Sequence, residues 1–190
     1  MRLFRALMRW VAVLVLLVAG CGSAEPSGVA RIGRGPAFEL PSLTRATAAG
    51  RPLGDLRCAS PTSHPLLAHV ELFAHGRTVL LPPGIGTAPP RRADGAYVRG
   101  GRCRYPLWTD EPTGVVALRR PGLTLGDLFA VWGRDLTRDG AAGFDGRVTV
   151  HVDGRRQGGD PRAVALGPRS QVVVQVGGPL VTPHARYTFP

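Results

Sequence analysis

The 190-residue sequence contains no lysine and no asparagine, and isoleucine occurs only at Ile32 and Ile85. All 24 basic residues are therefore arginines, and with 13 acidic residues they give a formal net charge of +11. This composition is typical of codon bias in a GC-rich genome, so the charge indicates an anionic partner less strongly than it would in an unbiased sequence. The length excludes a large multidomain enzyme, because one domain usually takes about 100 to 200 residues.

Familiar catalytic motifs are also absent from the sequence. There is no Gly-rich phosphate loop, no G-x-S-x-G and no H-E-x-x-H, which disfavours the nucleotide-binding, serine hydrolase and zinc protease classes that carry them. The nearest approach to paired catalytic carboxylates is Asp110 and Glu111. Adjacent acids on a turn are usually solvated or paired with arginine, so the sequence favours a protein that is not an enzyme.

The N-terminal apolar run is short. It extends from Trp10 to Ala19, whereas a transmembrane helix needs about 20 apolar residues. Basic residues precede the run, as in a secretory signal peptide: Arg2, Arg5 and Arg9. The following Val18-Ala19-Gly20-Cys21 resembles the lipobox of bacterial lipoproteins.

The lipobox resemblance implies cleavage before Cys21, a diacylglycerol on its sulfur and an acylated amine. Two or three acyl chains hold a protein firmly on a membrane. The predicted location is thus the extracytoplasmic face of the cell membrane, with an ordinary secreted protein as the alternative. Removal of residues 1–20 leaves 21 arginines against 13 acids, a formal net charge of +8.

The segment after Cys21 has no sustained hydrophobic period and is rich in Gly, Pro, Ser and Thr up to about residue 56, which is typical of a flexible tether. The predicted organisation is a signal peptide at 1–20, a lipidated cysteine and tether at 21–57, and one globular domain at 58–190. A flexible coil of this length reaches roughly 30 to 35 Å. That distance is enough to lift the domain off a membrane surface.

The two remaining cysteines, Cys58 and Cys103, predict a disulfide in an oxidising compartment. Such a bridge would stabilise the fold by about 4 kcal/mol in the chain-entropy model. The alternative is a thiolate metal site, but the short C-x-x-C spacing that such sites favour is missing.

Period-2 patterns predict strands in residues 66–74, 114–119, 147–152 and 171–176, and His75-Gly76 predicts a hairpin turn. Thr124 and Asp127 form a capping-box pattern ahead of apolar residues at helical spacing, so we expect a short amphipathic helix that ends at Gly133. The predicted class is α+β and mostly β: a mixed sheet of about six strands, β-grasp-like, with one helix. A β-sandwich with one helix is the alternative.

Residues 87–104 are predicted to form a loop with a basic character. Its five arginines would attract an anionic cell-wall polymer or lipid headgroups: Arg91, Arg92, Arg99, Arg102 and Arg104. Codon bias alone is the competing explanation. Nucleic acid is disfavoured as a partner, because an exported protein rarely meets it.

Five blocks within residues 58–190 occur in a fixed order: 69–76, 83–86, 103–114, 125–133 and 187–190. Together they resemble an uncharacterised family of exported proteins of high-GC Gram-positive bacteria. The family pattern combines an H-x-H strand, a P-x-G-I-G turn, C-x-Y-x-L-H-T-H-D-x-T-G, L-G-x-x-F-x-x-W-G and Y-x-F-P. The resemblance implies a shared fold, but no established activity.

The family's clustered histidines look like ligands for a metal such as Zn²⁺ or Cu²⁺. In this chain His69 remains, whereas Leu67, Trp108, Asp110 and Ala117 stand at the other histidine positions. The resemblance therefore implies a largely degenerate site.

A surviving set of His69, Asp110 and either Glu71 or Glu111 would bind a divalent metal weakly at best, and no other cofactor is expected. Trp108 is either a ligand-stacking aromatic or a core residue. The sequence thus predicts a non-catalytic binding or structural lipoprotein of the cell envelope. A metal-binding envelope protein or metal-dependent enzyme is the alternative.

Overall fold

The computed structural model describes residues 31–32, 50–60 and 64–190. Within these ranges there are one α-helix, α1 (Leu125–Trp132), and one 3₁₀ helix (Pro161–Ala163). The strands of the same ranges are β1 (Arg31–Ile32), β2 (Leu66–Ala74), β3 (Arg77–Val79), β4 (Arg92–Asp94), β5 (Tyr97–Gly100), β6 (Leu107–Trp108), β7 (Val115–Leu118), β8 (Gly140–Ala141), β9 (Phe144–Asp145), β10 (Val148–Val152), β11 (Arg155–Arg156) and β12 (Gln171–Val176).

An eight-stranded mixed sheet carries the fold, with β1-β3-β2-β12-β10-β11 as its main order. β12 runs parallel to β2, and β1 runs parallel to β3, while the other pairs of this sheet are antiparallel. β7 shares one edge of the long β2 with β3, and β6 pairs with β7. The prediction of an α+β, mostly β domain with a mixed sheet and one helix is confirmed.

Helix α1 begins and ends where its local sequence predicts. The Thr124 hydroxyl accepts a hydrogen bond from the Asp127 backbone N–H, and the Asp127 carboxylate accepts one from the Thr124 N–H, which completes a capping box. Gly133 ends the helix with a φ of 75°, a left-handed conformation that glycine adopts without a Cβ clash. The large apolar side chains of α1 are buried in the main core: Leu125, Leu128, Phe129, Val131 and Trp132.

The main core contains side chains from one face of the sheet together with α1. β2 contributes Val70, Leu72 and Ala74, and β12 contributes Val172, Val174 and Val176. This is the face that the period-2 pattern of β2 predicts. The predicted single-faced alternation does not describe β12, however, because all six of its residues are buried.

A C-terminal segment, residues 177–190, covers part of the other face of the sheet. Val181 packs with Phe73 and Val173 in a second apolar cluster. The Gln175 side chain accepts a hydrogen bond from the Val181 N–H at 2.7 Å and donates to the Val181 carbonyl at 3.1 Å. These contacts explain why β12, which lies between β2 and β10, is buried on both faces.

The predicted disulfide joins Cys58 to Cys103, with 5.5 Å between the two Cα atoms. Upstream of it, Leu56 lies in the main core, and the Arg51 carbonyl accepts a hydrogen bond from the Tyr105 hydroxyl. The packed part of the chain therefore extends upstream of residue 58, into the segment predicted to be tether. Cys21 and the signal sequence lie outside the described residues.

Candidate functional site

The basic segment 87–104 is not a plain loop, because β4 and β5 pair within it as a hairpin. The Arg104 side chain is only 11% exposed and lies 2.7 Å from Asp110 in an ion pair. Arg99 pairs with Asp94 at 3.3 Å in an exposed position. Two of the five arginines of segment 87–104 are thus paired with carboxylates, which lowers the charge that the segment offers to a partner.

The other arginines of the segment differ in environment. Arg91 is partly buried, and its Nε donates a hydrogen bond to the Thr87 carbonyl at 2.7 Å. Loss of solvent lowers the pKa of the Arg91 guanidinium from its usual value. Arg92 and Arg102 are exposed. Of the five predicted arginines, Arg92, Arg99 and Arg102 are thus exposed, whereas Arg91 is partly buried and Arg104 is buried.

Trp108 lies in the interior, with 1% of its surface exposed. Its indole N–H donates a hydrogen bond to Asp110 at 3.1 Å, and the Arg104 guanidinium lies 5.0 Å from its ring centroid. A ligand cannot stack on this ring while the strand is in place. The sequence left open whether Trp108 is a ligand-stacking aromatic or a core residue, and its burial is consistent with a core residue.

The three predicted metal ligands do not converge. His69 and Glu71 line one groove of about 430 Å³, and Asp110 does not line it. The Glu71 carboxylate pairs with His184 at 2.9 Å, and Asp110 pairs with Arg104. The Glu111 carboxylate accepts a hydrogen bond from the Thr113 hydroxyl. Residues 50–60 and 64–190 contain no group of three His, Cys, Asp or Glu side chains arranged to hold a metal.

His69 is engaged at both ring nitrogens. Nδ1 lies 2.7 Å from the Gln171 side-chain oxygen, and Nε2 lies 2.7 Å from the Thr113 carbonyl. As placed, the ring donates to both oxygens. A neutral ring fits equally well if the Gln171 amide turns so that its N–H donates to Nδ1. In neither arrangement does His69 keep a free lone pair for a metal.

Tyr187 covers the His69 ring, with 3.7 Å between the ring centroids and 7° between the planes. The contact joins the C-terminal segment to β2. Together with the two hydrogen bonds, it explains why His69 is only 4% exposed. His69 therefore connects β2, β12, the turn before β7 and the C-terminal segment, which is a structural arrangement.

A second groove was not predicted from the sequence. It has a volume of about 630 Å³ and is lined by three arginines together with residues of β10, β11 and the 3₁₀ helix. The arginines are Arg138, Arg147 and Arg156. They are spaced nine residues apart along the chain. The turns and strand pairing around β10 bring them together, so no local sequence motif marks the groove.

Two further findings concern membrane spans and similarity to known proteins. No helix in the described part of the chain is long and apolar enough to cross a membrane. Comparison with known proteins gives no match: no protein-family model, no curated protein and no solved structure matches this chain.

Proposed function

We propose that this protein is a lipid-anchored, extracytoplasmic lipoprotein of the cell envelope whose β-rich domain binds an anionic ligand without catalysing a reaction. The N-terminal pattern supports the anchor: basic residues, a short apolar run and Val18-Ala19-Gly20-Cys21. The disulfide is in keeping with an oxidising compartment outside the cytoplasm. Membership of the exported family described above remains part of this proposal.

The observation that carries the binding proposal is the excess of arginine on the folded part of the chain. Residues 50–190 contain 18 arginines and 11 acidic residues, a formal net charge of +7. Most of these arginines are exposed. The net charge already counts the carboxylates that pair with exposed arginines, such as Asp94 with Arg99 and Asp160 with Arg162. A surface with this excess of positive charge attracts anionic polymers and headgroups.

The membrane itself provides the setting for this attraction. A lipid on Cys21 would confine the domain to within the reach of its tether, where cell-wall polymers and anionic headgroups are concentrated. Charge attraction at a surface is screened over about 10 Å at 0.1 M salt. Binding of this kind is therefore strong at low ionic strength and weakens as salt is added.

Two measurements test the proposal. Mass spectrometry of the mature N-terminus should find a diacylglycerol-modified Cys21, and an unmodified N-terminus at another residue would refute the anchor. For the binding function, the mature chain with Cys21→Ser is mixed with poly(glycerol phosphate) or with vesicles containing phosphatidylglycerol. Salt-sensitive binding to one of the two is expected. Failure to bind either at low salt, or binding that ignores salt, would refute it.

A further inference from the structure

The second groove, lined by Arg138, Arg147 and Arg156, has the features of an anion-binding site. Its volume of about 630 Å³ lies within the range of pockets that hold small organic ligands. It is formed by elements different from the hairpin of residues 87–104. We name it the arginine groove.

The fold fixes the three arginines around β10. Arg147 directly precedes β10, and Arg156 lies in β11, opposite His151 of β10. Arg138 is held by a backbone hydrogen bond from the Val148 N–H to its carbonyl, at 2.8 Å. The backbone at each of the three arginines is thus fixed relative to β10, so the distances between their Cα atoms are set by the fold.

The charge of the arginine groove is mostly uncompensated. No ion pair joins its three arginines to a carboxylate of residues 50–60 or 64–190. Asp139 is the one acidic residue in the lining, which leaves a formal charge of +2. The neighbouring Asp160 pairs with Arg162 at 2.8 Å. The pKa of its carboxyl is lowered mainly by Arg162 and to a smaller extent by the charge of Arg138.

The rest of the lining suits a ligand with several polar oxygens. Gly158 and Gly159 are exposed and have open space where a Cβ would stand, so a ligand can approach their backbone N–H groups closely. The Gln157 side-chain N–H donates a hydrogen bond to the Arg155 carbonyl, and the Gln157 side-chain oxygen takes no part in that bond. Guanidinium groups match the paired oxygens of a phosphate in a bidentate geometry.

We propose that the arginine groove is the site at which this domain binds a ligand carrying two or more phosphate groups. The inference rests on the proposed function and assigns its anionic ligand to a place and a chemical class. A single phosphate ion would leave most of the groove empty, so the matching ligands are those with repeated or substituted phosphates. A phosphodiester polymer carries such phosphates along one chain. A phosphatidylglycerol membrane, whose headgroup has one phosphate, presents them on the headgroups of neighbouring lipids.

The test compares two triple variants of the mature Cys21→Ser chain. The groove variant carries Arg138→Gln, Arg147→Gln and Arg156→Gln. The control variant removes the same charge from exposed arginines outside the groove: Arg57→Gln, Arg120→Gln and Arg186→Gln. Each chain is titrated with poly(glycerol phosphate) by calorimetry and sedimented with phosphatidylglycerol vesicles, with polyglutamate as a carboxylate polymer for comparison.

The groove variant should bind the phosphate probe at least about tenfold more weakly than the unsubstituted groove, because charge-assisted hydrogen bonds are lost. The control variant should change by less than about threefold, the effect of diffuse charge alone. Weakening of the polymer titration identifies a phosphodiester polymer as the source. Weakening of vesicle sedimentation alone identifies a lipid headgroup.

Three outcomes would overturn the proposal. Equal weakening in the two variants would mean that diffuse charge binds the ligand, and the proposed function would survive without this site. Polyglutamate bound as tightly as the phosphate probe would exclude the phosphate assignment. No binding of either phosphate probe by the unsubstituted chain would remove the proposed function as well. Urea midpoints equal to that of the unsubstituted chain confirm that both variants fold. If the groove variant does not fold, the single substitution Arg147→Glu is used in its place.

Discussion

Replacing Arg104 by glutamine tests whether this arginine belongs to the interior or to a ligand-binding surface. Arg104 and Arg92 lie in the same basic segment, but Arg104 is buried against Asp110 and Trp108, whereas Arg92 is exposed. We expect Arg104→Gln to destabilise the domain, because it removes a charged hydrogen bond and leaves Asp110 without its cation. The matched control is Arg92→Gln, which removes the same charge from the surface.

The size of the effect follows from the exposure of the two partners. A hydrogen bond to a charged group contributes about 1.5 to 3 kcal/mol, and a cation over an aromatic ring adds about 0.5 to 1 kcal/mol. The Asp110 side chain is 44% exposed, so water compensates part of the loss. The expected destabilisation is about 2 kcal/mol for Arg104→Gln and below about 0.5 kcal/mol for Arg92→Gln.

Urea unfolding of residues 21–190 with Cys21→Ser, followed by tryptophan fluorescence, measures both variants. With a slope of about 1 to 3 kcal/mol/M, the midpoint should fall by roughly 1 M for Arg104→Gln and should barely change for Arg92→Gln. Adding Asp110→Asn to Arg104→Gln should cost less than the sum of the two single changes. Equal midpoints for the two arginine variants would refute the argument that Arg104 is a structural residue.

Two further predictions concern stability. The Cys58–Cys103 disulfide closes a loop of 45 residues, so its reduction should lower the free energy of unfolding by about 4 kcal/mol. As a control, the stability of a Cys58→Ala/Cys103→Ala chain should not respond to reductant. A decrease in the free energy of unfolding below about 1 kcal/mol would contradict this prediction. Burial and the charge of Arg156 lower the pKa of His151 in the folded domain. The unfolded chain therefore binds more protons than the folded chain, and the free energy of unfolding declines as pH falls below about 6.5. The urea midpoint should therefore drop less between pH 7 and pH 5 in His151→Gln, and an unchanged drop would contradict this role.

Elements specified by neighbouring residues could be predicted from the sequence. The capping box of Thr124 and Asp127 and the stop at Gly133 define α1, because both signals depend on atoms within one turn of the helix. The His75-Gly76 turn defines the β2–β3 hairpin in the same way. These interactions are local, so no knowledge of distant partners is needed.

Features that depend on distant partners could not be predicted. The buried state of both faces of β12 requires the contact of Val181 with Phe73, and the pattern of residues 171–176 contains no sign of that cover. Arg104 looks like its neighbours in sequence until Asp110 is placed beside it. The arginine groove depends on the same kind of long-range placement, because its members lie in separate turns and strands.

The position of β12 has a consequence for how the domain is made. β12 is the central strand, and its register pairs Gln171 with His69, so the sheet cannot close until a segment about a hundred residues downstream of β2 is available. Contacts of such large sequence separation make folding slow. A chain that is made from N-terminus to C-terminus therefore acquires this strand only when its synthesis is almost complete, and under the proposed export it would stay open for most of its passage through the membrane.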